Sequence, residues 1–259
     1  MFEPLKPVSP GLRIALGILF FVLFVAVWAG LTLGGVVPSL FLADPVKTLI
    51  AGWSLFAEYG FLTDIAWTVW RVLGGFVVAA LIAVPLGILM GTFKTIEALL
   101  EPFVSFARYL PASAFIPLLI LWAGVGEAQK LAVIFIGSVF QIILMIAVIV
   151  GATRRDLVEA ARTLGARRDG IVYRVILPGA APQIAETLRL VLGWAWTYVI
   201  VAELIGASRG IGHMIMDSQR LLDTGQMIFG IVVIGLIGLI SDFLFKLGNE
   251  RLFPWSLSR

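Results

Sequence analysis

A chain of 259 residues could hold one or two soluble domains by length alone, but 60% of its residues are apolar, only 14% are charged and its mean hydropathy is +1.04. Soluble domains carry about a quarter charged residues, so the composition excludes an ordinary globular fold and indicates an integral membrane protein. A formal net charge of +3 comes with no basic patch interleaved with aromatics, which argues against nucleic acid as a partner, and the lack of cysteine excludes disulfides and thiol chemistry.

Runs without a charged residue extend over Ile14 to Ala43, Val72 to Phe93, Tyr109 to Gly126, Leu131 to Thr153 and Thr224 to Ser241. Each is about 18 residues or longer, enough for a helix to cross roughly 30 Å of hydrocarbon. A sixth segment, roughly Glu186 to Gly206, is apolar but carries Arg189 and Glu203. Period-2 alternation is lacking, so barrel strands are excluded. The expected fold is an all-α integral membrane protein, a bundle of about six transmembrane helices. The first segment is read as a retained helix, because its uncharged run exceeds the roughly 7–15 apolar residues of a signal peptide. Pro102, Pro111 and Pro117 interrupt the third segment. It is either a kinked but complete span or a re-entrant hairpin over residues 101 to 126.

Charge chooses between these and sets the orientation. With six spans, twelve Lys and Arg fall on one side: Lys6, Arg13, Lys94, Arg154, Arg155, Arg162, Arg167, Arg168, Arg174, Lys246, Arg251 and Arg259. The other side has four, Lys47, Lys130, Arg209 and Arg220. The positive-inside rule places the twelve, and both termini, in the cytoplasm. A five-span topology would put the arginine-rich loop outside, so the kinked complete span is preferred. Trp53, Trp67, Trp70 and Trp122 then lie near the outer interface.

Within that loop, Leu157, Ala160, Ala161 and Leu164 recur at i, i+3, i+4 and i+7, one face of a short helix. Gly165 is placed to end it, since glycine tolerates the left-handed conformation beyond a helix C-terminus. A second short helix is expected from Asp169 to Ile176, with Pro178 preceding the next span. The apolar face between arginines could lie on anionic lipid, pack on the protein's own helix ends or dock a cytoplasmic partner.

The residues "EAA" at 159–161, then three residues, Gly165, nine residues, Val175, Leu177 and Pro178 resemble the EAA loop of ABC-importer permeases, E-A-A-x3-G-x9-I-x-L-P, with valine in place of isoleucine. "RYLPASAFIPLLILWAGVGE" (108–127) and "AELIGASRGIGHMI" (202–215) are similar to segments of the nitrate/sulfonate/taurine/bicarbonate permeases, although Tyr109 stands where that family usually has proline. The resemblance covers about residues 65 to 250, and the C-terminal "PWS" also fits. It implies a type I ABC-importer permease fold in a bacterial cytoplasmic (inner) membrane. The implied division is a tail, first transmembrane helix and outer loop over 1–64, a permease core over 65–250 with the coupling loop at 154–181, and a cytoplasmic tail over 251–259. It implies two ABC ATPase subunits, a second permease copy (a homodimer), an extracytoplasmic substrate-binding protein and membrane lipid as partners. It also gives roles to Glu159 (orienting the docked helix), Ala160 and Ala161 (close seating) and Gly165 (the bend), with Leu157, Leu164 and Pro178 in the same docking element. The solute would be a small anion or zwitterion.

No Gly-Lys dipeptide occurs, so the phosphate-binding pattern G-x-x-x-x-G-K-[ST] is absent. The chain is therefore expected to carry no cofactor and no catalytic residue, with ATP and Mg bound by a partner ATPase. A membrane scaffold and a gradient-driven carrier remain as alternatives. Arg189, Trp196 and Glu203 are spaced by sevens and share one helix face, with the two charges roughly 21 Å apart. They either line the translocation path or snorkel to the two interfaces with hydrogen bonds to neighbouring loops. Arg71, beside Trp67 and Trp70, is an interfacial anchor or an anion ligand. Arg108 precedes the break at Pro111 and either contacts solute or ties down the kink. His213 is the only histidine, which makes a metal site implausible. Gly30, Gly34, Gly35, Gly230, Gly235 and Gly238 are expected at close helix contacts, with Gly74 and Gly75 as similar candidates.

Overall fold

A computed structural model describes residues 8–256. Lys6, Arg259 and the last three residues of the 251–259 tail lie outside the described residues. Among the described residues, five helices are long and apolar enough to cross a membrane, or six if one bent pair counts as a span. In chain order the helices are α1 (Pro10–Leu33), α2 (Pro45–Glu58), α3 (Phe61–Thr92), α4 (Lys94–Ala107), α5 (Ile116–Ala123), α6 (Glu127–Gly151), α7 (Arg155–Thr163), α8 (Arg168–Ile171), α9 (Leu177–Leu204), α10 (Ile211–Arg220) and α11 (Thr224–Leu252).

Two compact units are distinguished. One comprises residues up to Gly60 with Ile215–Val232, and the other Phe61–Met214 with the residues from Val233 onward. In the first, Asp44 caps α2 by accepting from the Lys47 N–H at 2.9 Å, and Pro45 sits where its missing N–H costs nothing. Gly52 leaves room for the Phe229 ring against α2.

The second unit is built on α3, α6 and α9. Lipid tails are as apolar as leucine, so helices here associate by close packing rather than by escape from water. Glycines on α3 permit that approach to α6. A methyl on Gly75 would stand 2.8 Å from the Ile134 Cβ, one on Gly87 2.8 Å from the Ile143 carbonyl oxygen, and one on Gly91 2.5 Å from that of Ala147. Ile134, Ile142 and Ile146 are buried in the resulting seam. Gly75 is among the glycines expected at such contacts, but nothing comes within 4 Å of a Cβ built on Gly30 or Gly235, and Gly238 makes only ordinary contact, 3.8 Å from Trp196.

The third expected span is α4 and α5, bent by 82°. Leu110 precedes Pro111, which disfavours helical backbone for Leu110 and supplies no N–H to continue α4. A 3-10 turn, Ala112–Phe115, then leads into α5, with Pro117 in its first turn. The arginine-rich segment also departs from expectation. Its second short helix is not separate: α8, a π-helical turn over Val172–Ile176 and α9 form one continuous helical run from Arg168 to Leu204. In the π turn the Leu177 N–H reaches back to the Val172 carbonyl, and Pro178 follows immediately with no N–H of its own to place.

Candidate functional site

The loop helix α7 begins with Asp156 in its first turn and ends with Arg162 in its last, both favourable to the helix dipole. Arg154 pairs with Asp156 and holds its carboxyl below the ordinary carboxylate value. Gly165, at φ +80°, closes the helix as expected. The Ala166 N–H returns to the Ala161 carbonyl and the Gly165 N–H to that of Arg162, each at 2.9 Å, which is the Schellman arrangement.

The predicted apolar stripe divides. Of its four residues only Ala161 packs against the main core, next to Val158 from outside the stripe, whereas Leu157, Ala160 and Leu164 are exposed, Leu164 at 88%. Ala161 thus holds the helix to its own bundle. Glu159 is exposed and lines a cavity of about 550 Å³ with Lys94, Arg155, Arg162 and Arg168. Beyond the bend, Ile171 and Ile176 are buried and Pro178 is exposed at the start of α9.

A second assembly gathers charge around α3. Arg71 is 1% exposed. Its Nε and Nη2 donate to the two Glu127 oxygens at 2.6 and 2.7 Å, and its Nη1 donates to Glu203 and to the Arg209 carbonyl, each at 2.7 Å. Lys130 Nζ approaches Glu127 at 3.3 Å, so two cations face two carboxylates. The Arg71 guanidinium also lies 5.4 Å from the Trp67 ring centroid. Glu203 also helps to cap α10, together with Asp64 and Thr68. N–H groups of three successive residues, Gly210, Ile211 and Gly212, donate to Asp64, Thr68 and Glu203 at 2.7, 2.9 and 2.8 Å. Helix starts leave such groups without an intrahelical acceptor. Gly210 has φ +118°, and a Cβ there would lie 2.6 Å from Arg71 and Glu203. Arg71 is therefore a buried hub, not the interfacial anchor expected from its tryptophan neighbours.

The face spaced by sevens on α9 is likewise occupied. Arg189 pairs with Glu186 and donates to both Asp242 oxygens at 2.8 and 2.9 Å. Trp196 Nε1 donates to the Ser241 Oγ at 3.0 Å. Glu203 belongs to the Arg71 cluster. Each of the three residues meets a protein partner.

Arg108 differs. It closes α4 at the break, its Nη2 donates to the Tyr109 hydroxyl at 2.7 Å, and its Nε is buried without a hydrogen-bond partner. It lines a cavity of about 320 Å³ between the break, α6 and α9. Sequence reasoning missed Thr68, Glu127, Asp242, Gln141 and Tyr198, all of which touch these sites. For α2 a local signal did exist, the Asp44-Pro45 cap.

The chain matches, over residues 83–254, the family described as binding-protein-dependent transport system inner membrane component. It belongs to that family. The permease is 36% identical over 93% of its length to a Brucella melitensis protein described as a "probable ABC transporter permease protein", covering 97% of it. It is 32% identical to the taurine transport system permease protein TauC of Escherichia coli, over 96% of this chain and 92% of TauC. A solved structure of the MetNI methionine ABC transporter, in an inward-facing conformation, shares the fold with a TM-score of 0.57 at 19% identity, over 72% of this chain and 95% of that one. The permease is thus a multi-pass inner-membrane component of an ABC transporter, a transport subunit and not an ATPase. That membership sets aside the scaffold and gradient-driven alternatives.

Proposed function

We propose that the permease forms the pathway for a small anionic or zwitterionic solute of the sulfonate/taurine, nitrate or bicarbonate class, and that α7 docks a separate ATPase subunit. The TauC likeness supports the solute class. The observation that carries the docking reading is the split of the α7 stripe: Ala161, with Val158 beside the stripe, anchors the helix, while Leu157, Ala160 and Leu164 are left on its outer side. An exposed leucine beside an alanine suits a groove on a cytoplasmic protein, since small residues allow close approach. Glu159 orients the docked helix, Gly165 sets the bend and Pro178 ends the element. Residues 65–250 act as the permease core, with the coupling loop at 154–181 and both termini on the cytoplasmic side. Two such chains, two ATPases that bind ATP and Mg, and a binding protein on the outer side complete the importer. ATP-driven closure of the ATPase pair moves the loops and switches the bundle between inward-facing and outward-facing forms.

Co-expression with the ATPase of the same transport system tests this. Leu157→Asp and Leu164→Asp lie on the exposed side, so each changes stability by no more than about 0.5 kcal/mol. Both are expected to keep the melting temperature in detergent and to abolish stoichiometric capture of the ATPase. Normal capture by both variants, or no capture by the wild type, would refute the docking reading.

A further inference from the structure

Three arginines sit among the apolar helices of the larger unit, and their surroundings differ in one respect. Arg71 has Glu203 and Glu127, and Arg189 has Glu186 and Asp242. Among the described residues, no carboxylate lies within 4.0 Å of the Arg108 guanidinium, and none lines the cavity it borders. Charge is costly within a membrane and normally meets an opposite charge, a carbonyl or a water-filled space. Here the space is present and the counter-charge is not.

The cavity is built for a polar occupant. Its wall on α6 includes Gln141, and its wall on α9 includes Thr197 and Tyr198. Gly137 lets the Tyr198 ring lie against α6, since a Cβ there would stand 2.5 Å from that ring. The lining on α6 runs from Val133 to Gln141, midway along a helix that starts at Glu127 and ends at Gly151. Arg108 has a buried Nε–H without a hydrogen-bond partner, and its Nη2 donates to the Tyr109 hydroxyl. Its Cζ lies 4.6 Å from the Tyr109 ring centroid, which fixes the plane of the guanidinium. About 320 Å³ falls at the lower end of the range for small-molecule sites.

We propose that this cavity is a station for the transported solute, in which Arg108 binds an oxyanion group, a sulfonate or a carboxylate, and Tyr109 holds the guanidinium in position. The guanidinium fork matches such groups through paired N–H donors. Gln141, Thr197 and Tyr198 supply neutral hydrogen-bonding groups to the rest of a small molecule. The inference rests on the solute class proposed above and adds the place and the residue.

The test uses proteoliposomes carrying the complete transporter with its ATPase and binding protein. Uptake of radiolabelled taurine, ethanesulfonate, nitrate and bicarbonate is measured for wild type, Arg108→Gln and Arg108→Lys, with size-exclusion profiles and melting temperatures alongside. The wild type is expected to take up at least one probe. Arg108→Gln lowers maximal uptake at saturating loaded binding protein by about tenfold or more, the scale of one charge-assisted hydrogen bond. Arg108→Lys recovers part of the loss, because charge remains while the fork is gone. Uptake by Arg108→Gln within twofold of wild type would overturn the inference and leave the solute class standing. Loss of uptake with a parallel fall in melting temperature, or with dissociation of the paired permeases, would reassign Arg108 to scaffolding and also overturn it. Wild-type uptake of none of the four probes would sink the solute class first, and the station with it.

Discussion

Arg71 and Arg108 are one residue type in one bundle, treated in opposite ways. Arg71 is enclosed at 1% exposure, with two carboxylates and a carbonyl on its guanidinium, and one partner, Glu203, also caps α10. Arg108 stands at a broken helix beside a cavity, with a tyrosine hydroxyl and no acid. A charge that the protein neutralises completely has been used to fix structure, and it has nothing left to offer a passing solute. A charge left open retains its attraction. The two arginines are told apart by the completeness of the local charge balance.

The contrast can be broken most forcefully at Glu203. Replacing it by Ala leaves Arg71 with Glu127 alone, which is itself partly exposed, and deprives the Gly212 N–H and Thr68 of their acceptor. Removing one partner of a buried pair costs about 3–5 kcal/mol, so thermal unfolding in detergent is expected to drop by many degrees, and Glu203→Gln by less. A melting point close to wild type for Glu203→Ala would show the cluster to be ornamental. Arg71→Lys is a smaller change. The ammonium keeps the charge but cannot make both Glu127 contacts and still reach Glu203 and the Arg209 carbonyl, a loss of about 1–3 kcal/mol by the worth of charged hydrogen bonds. The same melt reads it, and wild-type stability would contradict the fork geometry. Asp242→Asn belongs at the small end. Its side chain is 45% exposed, and an accessible pair contributes about 1 kcal/mol or less. A large destabilisation there would place Arg189 with Arg71 as a structural hub.

How much of this was legible in the sequence follows from the range of each interaction. The hydrophobic runs and the stop at Gly165 were readable because both are local: helix length is counted along the chain, and the Schellman closure joins residues five apart. The spacing of Arg189, Trp196 and Glu203 by sevens placed them on one face of α9, and a single helix sets that period. Their partners were not readable, because Glu203 and Arg71 are 132 residues apart and Arg189 and Asp242 are 53 apart. Nothing local specifies such pairings. The α7 stripe was half legible. A four-residue apolar face gives the side of the helix but not the boundary between its inner and outer edges, and that boundary divides Ala160 from Ala161. Likewise, glycine content does not tell which glycines meet a neighbour. Gly87 and Gly91 matter through Ile143 and Ala147, on a helix more than fifty residues away.

The unbroken helical run from Arg168 to Leu204 has a mechanical consequence. Its 37 residues make a rod about 55 Å long, so the arginine-rich segment and the Glu203 corner of the Arg71 cluster are two ends of one element, joined by backbone hydrogen bonds and not by a relay of side chains.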